Sequence, residues 1–342
     1  MKISELNFDL PDDLIAQQPA ERRDGSRMLL VDRPSGTFSD RGFGEIVSLL
    51  RPDDVLVLNN TRVFPARLKG ISESGAKVEI FLIECLENGL WTTLARPAKR
   101  LKAGKRIDFA EGLSATVVDR LDDGKTVVRF DTDGDFFDML ETIGQTPLPP
   151  YIKRDGDALA DRERYQTVFA KNRGAIAAPT AGLHFTPDVL GEIEAHGVTV
   201  AEITLHVGYG TFEPVRVDDL TDHRVAPERY AISEGTAEAL NKAQQDKRRI
   251  VAVGTTSTRA LETTVKKNGR YVAGSHLADL TITPGYRFEA VGALLTNFHL
   301  PQSSLLLLTS TFGGHELIMS AYRHAVASKY RFYSYGDCML IV

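Results

Sequence analysis

The sequence predicts a mixed α/β fold, with a mostly parallel sheet built from both chain ends and a small antiparallel β-barrel inserted between them. Three observations carry this. Between residue 63 and about residue 130, short β-rich segments alternate with glycine-marked turns, at a spacing that fits a small barrel or sandwich. Beyond Pro147, Pro149 and Pro150 the pattern changes to strands alternating with helices, which implies a mostly parallel sheet. Two apolar runs ahead of the β-rich module, 27–31 and 55–58, also read as buried strands. The expected division is an α/β catalytic domain from 1–62 and 151–342, with a barrel domain at 63–150.

In order along the chain, the barrel segments are 77–83, 90–94, 106–109, 115–119 and 126–130, punctuated by Gly75, Gly89, Gly104, Gly112 and Gly124. A strand is expected at 174–178, stopped by Pro179 and Gly182. Thr186-Pro187 reads as an N-cap followed by the first helical residue, and Gly197 closes that helix. The strand 198–204, a helix over 233–247, the strand 249–253 and a helix over 257–267 complete the alternation.

Composition is ordinary for a globular protein: 342 residues, 42% hydrophobic, 25% charged. A net charge of −5 means that any nucleic-acid contact must use a local basic patch. Cys85 and Cys338 have no CxxC or Cys/His spacing and fit a reducing cytoplasm. The amino terminus carries acids where a signal peptide needs an apolar run, and the apolar cluster at 305–308 is too short to span a bilayer. A cytoplasmic protein is expected, with no metal.

Two stretches carry the chemistry, each a single histidine among small and turn-forming residues at a strand end. They are 177–186, with Thr180 and His184, and 204–212, with His206 and the flexible Gly208 and Gly210. Parallel sheets open their ligand crevice at such ends. Each histidine has a structural alternative, and the pair favours a site. Gly254-Thr255-Thr256-Ser257, ahead of a helix with Arg259 and Glu262, is either an anion-binding helix start or a plain capped turn. Asn59, Asn60 and Arg62 follow a buried strand and suit either base-edge and anion contacts or turn chemistry. His223 and Glu228 offer acid and base groups in one loop, and Asn297 and His299 stand near another helix entrance.

A P-loop is absent, and Glu213 stands where a dinucleotide loop needs its third glycine. Basic residues gather in three places. Arg96, Lys99, Arg100, Lys102, Lys105 and Arg106 have no intervening acid, Arg22, Arg23 and Arg27 lie near the amino terminus, and Lys329 and Arg331 lie among aromatics. They suit phosphate pairing and base stacking, or a solvated hairpin and core aromatics.

These segments together resemble one family. RDGSR at 23–27, LNNTRVFPARL at 58–68, RYQTV at 164–168, AAPTAGLHFT at 177–186, TLHVGYGTFEPV at 204–215, AVGTTSTRALE at 252–262, TNFHLPQSSLL at 296–306 and YRFYSYGD at 330–337 are similar, in order, to the S-adenosylmethionine:tRNA ribosyltransferase-isomerases of queuosine biosynthesis. The resemblance implies transfer and isomerisation of the ribosyl group of S-adenosylmethionine onto 7-aminomethyl-7-deazaguanine at the tRNA wobble position. Epoxyqueuosine forms, and adenine and methionine leave. S-adenosylmethionine is consumed as donor, with no further cofactor. For proton transfer it points to His184, His206, His223 and His299, with Asp279 and Glu228 as carboxylate alternatives. The substrate-binding set is Asn59, Asn60, Arg62, Thr180, Gly208, Gly210, Thr255, Thr256, Arg259, Glu262 and Asn297. For tRNA it is Arg23, Arg27, Lys99, Arg100, Lys102 and Arg331. The expected partners are tRNA and S-adenosylmethionine, acting on a monomer. Ala226 stands where the family commonly has a second histidine, which removes a role for histidine there. The alternatives are an S-adenosylmethionine-dependent RNA methyltransferase and a non-catalytic tRNA-binding protein.

Overall fold

Buried alternation builds the centre of the molecule. In the computed structural model, which describes residues 1–98, 101–153, 159–212 and 215–342, strand β3 (Val55–Asn59) is buried on both faces. Its Val55 and Val57 enter one core and Leu56 and Leu58 another. β14 (Ile250–Val253) divides the same way, with Ile250 and Ala252 on one face and Val251 and Val253 on the other. Such runs suit a sheet covered on both sides.

These two strands sit in a nine-stranded sheet made from both chain ends. Its other members are β1 (Arg27–Asp32), β2 (Thr37–Gly42), β12 (Thr199–Leu205), β13 (Glu228–Ile232), β15 (Gly274–Ala278), β16 (Ala293–Asn297) and β17 (Cys338–Ile341). The order is β15-β13-β12-β3-β14-β16-β17-β1-β2. β12, β3, β14 and β16 run parallel, as do β17 and β1, whereas β13, β15 and β2 pair antiparallel at the edges. The sheet is mixed because β17 enters antiparallel to β16.

Helices α4 (Pro187–Ala195), α5 (Glu234–Gln245), α6 (Thr255–Asn268), α7 (Ser304–Gly313) and α8 (His315–Ala327) cover the faces. The Thr186 hydroxyl caps α4 by accepting from the Val189 N–H, with Pro187 at the first position. No described helix is long and apolar enough to cross a membrane.

Six antiparallel strands between residues 67 and 131, β5 to β10 in chain order, close a barrel. Its core holds Leu68, Ile80, Leu82, Trp91, Ile107 and Val128.

One expected strand lies elsewhere. Residues 172–175 (β11) do not join the main sheet but pair in parallel with Thr61–Val63 (β4) in a two-stranded ribbon. The place beside β3 is taken by β12, and the chain from Pro179 winds into a short 3-10 turn, Thr180–His184.

Candidate active site

A crevice opens where β14 and β16 end. The Val253-to-α6 connection turns through Gly254, whose φ of +93° is one that side-chain-bearing residues rarely adopt. The Gly254 N–H donates to the Leu295 carbonyl (2.8 Å), which locks the start of α6 against β16. Gly254 offers no side-chain cap to the amides of the first turn, and Thr255 and Thr256 in that turn line the crevice. The crevice holds about 560 Å³ of non-protein space, open solvent included. Thr180 and Asn297 line it, as do Tyr151 and Tyr333. Beyond Thr255, Thr256 and Leu305, which line both spaces, a second space of about 440 Å³ continues past Gly210, His223 and Arg259.

The four histidines occupy different settings. His299 lines the crevice, is hydrogen-bonded to Thr296 Oγ1 (3.0 Å), and is held down to about 3 by burial. His223 faces the second space, with Nε2 2.8 Å from Ser304 Oγ. Burial, then the Arg224 and Arg259 charges, lower its pKa. His184 is not a lining residue of the crevice; it stands behind Asn297, whose side-chain amide donates to Nε2 (3.4 Å) and to the Tyr333 carbonyl (3.0 Å). That leaves Nδ1–H to donate to Ser26 Oγ (3.0 Å), and burial holds this imidazole down to about 4. His206 is hydrogen-bonded to Thr61 Oγ1 (2.9 Å) and packs on Gly174, where an added Cβ would lie 2.5 Å from the ring.

The carboxylates differ as sharply. Glu228 accepts from the Gly208 N–H (3.0 Å) and from Arg259 (2.8 Å), an ion pair buried on both sides. Arg259 also donates to the carbonyls of Ala226, Ala278 and Leu280, so its fork is occupied by the protein. Glu262 sits deeper, accepting from the Glu289, Ala290 and Val291 amides and the Tyr286 hydroxyl. Asp279 is exposed, ion-paired to Lys267 (2.7 Å), and lines a different groove with Arg224 and Lys266.

Asn59 and Asn60 tie strands together: Asn59 bonds both backbone groups of Leu205, and Asn60 bonds Glu202 and Thr204. Arg62 is exposed beside another cavity, with Glu141 and Arg162. Gly208 and Gly210 adopt no positive φ. Gly210 instead approaches Ala226, where an added Cβ would lie 3.0 Å from the alanine methyl. Of the residues proposed for RNA, Arg23 donates to the Leu183 and Glu163 carbonyls, Arg27 lies 4.0 Å over the Tyr330 ring, and Arg331 donates to the Gln18 carbonyl. Lys102 is exposed, and Lys99 and Arg100 lie outside the described residues.

Sequence reasoning passed over Tyr151, Tyr165 and Ser334. Tyr151 and Tyr333 meet edge to face, their ring centroids 3.9 Å apart, and the Tyr151 hydroxyl is hydrogen-bonded to Ser334. Burial pushes Tyr333 up to about 12 and Tyr151 well above its ordinary value, so both are neutral phenols. The triple proline ahead of Tyr151 marked a boundary and drew attention away from the tyrosine that follows.

A family model described as queuosine biosynthesis protein matches residues 3–341. The chain belongs to this family. It is 50% identical, over 342 residues and all of both chains, to the S-adenosylmethionine:tRNA ribosyltransferase-isomerase of Trichlorobacter lovleyi. Identity to the protein of the same name from Syntrophotalea carbinolica is 48% over 344 residues, again covering both chains fully. A crystal structure of the S-adenosylmethionine tRNA ribosyltransferase from Thermotoga maritima aligns over 99% of this chain and 100% of that one, with 36% identity and a TM-score of 0.57. The family match extends through the barrel as well as the sheet, so both modules belong to the family's common plan.

Proposed function

We propose that this chain is an S-adenosylmethionine:tRNA ribosyltransferase-isomerase. It moves the ribosyl group of S-adenosylmethionine onto 7-aminomethyl-7-deazaguanine at the tRNA wobble position, and epoxyqueuosine-tRNA, adenine and methionine are the products. The observation that carries the reading is the lining of the crevice in a chain that matches the family model over residues 3–341. Tyr151 and Tyr333 line it together with Thr255 and Thr256 at the start of α6. Aromatic rings and a helix start in one crevice suit a donor that carries both a purine and an amino-acid carboxylate.

The chemistry sets the demands on the residues. The sulfonium acidifies the ribose 5′ carbon; a base that takes this proton opens the furanose and releases adenine. The tRNA amine attacks as the free base, and methionine leaves as the epoxide closes. Proton transfer needs a group that is unprotonated at working pH and reachable from the crevice. His223 meets both requirements, because burial, with the Arg224 and Arg259 charges, lowers its pKa and it lines the continuation of the crevice. His299, on the crevice wall and held neutral more strongly, is the second candidate. His184 and His206 support the walls. The Arg259–Glu228 pair holds the Gly208 backbone and the 226–228 segment in place, and the carboxylate of the donor is left to the amides of Thr255 and Thr256.

In this reading 1–62 with 151–342 form the catalytic domain and 63–150 an inserted barrel domain. The enzyme acts as a cytoplasmic monomer and uses no cofactor besides its donor. Incubation with tRNA carrying the aminomethyl base, followed by separation of the small products, tests it. Adenine with methionine in equal amounts supports the proposal. S-adenosylhomocysteine would mean a methyltransferase, and intact donor with bound tRNA a binding protein.

A further inference from the structure

Beside the crevice lies a second cavity of about 270 Å³, open solvent included, lined by Pro19, Arg23, Ser26, Arg164, His184 and Ser334 among others. Ser334 lines the crevice as well, so it stands as the wall between the two spaces. Two arginines line this cavity. Arg164, at the end of the helix Leu159–Arg164, donates to the carbonyls of Ala20 (2.6 Å) and Glu21 (3.0 Å). Its Nε is buried with no hydrogen-bond partner. Arg23 donates to the carbonyls of Leu183 (3.3 Å) and Glu163 (3.0 Å).

Neither arginine forms an ion pair with a carboxylate among the described residues. Arg249 and Arg259, which are more deeply buried, each have one, Asp54 at 2.6 Å and Glu228 at 2.8 Å. Burial and the charge of Arg164 both depress the Arg23 guanidinium, and the charge of Glu163 acts in the opposite direction. Two like charges drawn together, half-buried and without an ion pair of their own among the described residues, are held at an energetic cost that an anion between them relieves.

We propose that this cavity is a phosphodiester subsite, in which Arg23 and Arg164 hold the backbone phosphate next to the nucleotide in the crevice. The inference rests on tRNA being the acceptor. Each terminal nitrogen of the two guanidinium groups spends one N–H on a carbonyl and keeps a second for a phosphate oxygen, and Ser26 and Ser334 line the same cavity. The occupant has to lie outside the crevice yet one side chain away from it, as a phosphate covalently joined to the crevice nucleotide does. A basic rim favours a polyanion over a lone carboxylate: Arg27 and Arg331 both hang from the segments that frame the cavity, 17–27 and 328–336.

Two arms test this, with turnover of the wild-type enzyme on modified-base tRNA as the entry condition. Absence of turnover there would count against the functional reading rather than the subsite. In the first arm, Arg23→Gln raises the tRNA KM about ten- to a hundredfold, leaves the S-adenosylmethionine KM within about twofold, and is largely rescued by Arg23→Lys. In the second arm, anticodon stem-loops carry one uncharged methylphosphonate at each linkage flanking the wobble nucleotide. One linkage raises the wild-type KM by a similar factor, and Arg23→Gln shows no further loss on that same RNA. If Arg23→Gln fails to fold, Arg164→Gln takes its place, and the neutral linkage that hurts the wild type then costs this variant less. The proposal is overturned if no single linkage matters, if variant and linkage effects multiply independently, or if the S-adenosylmethionine KM rises instead.

Discussion

A histidine at a strand end can transfer protons or hold a wall, and which space the ring faces distinguishes the candidates: His299 and His223 line the crevice and its continuation, whereas His184 stands behind Asn297. His184 is 4% exposed, held to about 4, and bonded on both nitrogens. In the unfolded chain its pKa is near 6.5, so at mildly acid pH the unfolded state takes up the proton first. The stability associated with the neutral ring is therefore complete above about pH 6.5 and is lost as pH falls towards the folded value of about 4. His184→Gln should flatten the decline of melting temperature between those limits, and an unchanged slope would show that the ring is not buried in solution. His223→Gln should instead lower turnover by about 10²–10⁴-fold with an unchanged melting temperature; near-normal turnover would transfer the proton step to His299. His184 was legible in the sequence because proline, glycine and threonine surround it, and His223 because it shares one loop with Asp222 and Glu228. Their division of labour was not, because Asn297, Ser26 and Ser304 reach them from distant segments. Arg259 misled for the same reason. Its neighbour along the chain is an anion-binding turn, while its partner in space is Glu228.

Among the elements, those defined by continuous apolar runs were readable. The runs at β3 and β14 forced a sheet with two covered faces, and Thr186-Pro187 fixed the start of α4. The edge strands β13 and β15, with Arg229, Ser275 and His276, lack such runs, and their pairing comes from the sheet they join. The loop after α8 shows a local rule broken at the site. Tyr333 has φ of +73°, and at Gly336 an added Cβ would lie 2.4 Å from the Arg331 carbonyl oxygen. A bulky residue in the left-handed region costs about 1–3 kcal/mol and persists where its surroundings impose it. Tyr333→Asn should thus keep or raise the melting temperature, since asparagine tolerates that conformation, while it raises the S-adenosylmethionine KM by about tenfold through loss of the ring. An unchanged KM would mean that the Tyr151–Tyr333 pair is core rather than a purine platform.

Across the whole molecule, charge decides how a protein of net charge −5 holds a polyanion. Read along the chain, 96–106 is the densest basic run and has no acid within it. Closing the barrel changes that. Glu73 pairs with Lys105 (3.0 Å), and Asp108 pairs with Arg106 (2.8 Å), so the end of the run is neutralised by its own strand and by the turn that follows Ser72. Lys102 is exposed and enters no ion pair among the described residues. A phosphate-binding role for the barrel therefore falls on the loop ahead of Arg106, with Lys99 and Arg100 beside Lys102 in sequence. Neutralising Lys99, Arg100 and Lys102 together should weaken every tRNA substrate alike, because phosphate contacts position RNA without reading its sequence. The log–log salt slope should become shallower by about 0.7 for each single-strand phosphate that the variant no longer neutralises. Neutralising Lys105 and Arg106 should change the slope less, since each leaves an acid that was already balancing it. S-adenosylmethionine binding to the free enzyme should stay the same in both variants. Titrations of tRNA over a range of salt concentrations check the ranking. A larger change in slope from the Lys105 and Arg106 pair, or wild-type affinity in the triple variant, would take the barrel loop out of RNA binding and leave the arginines around the crevice to carry it.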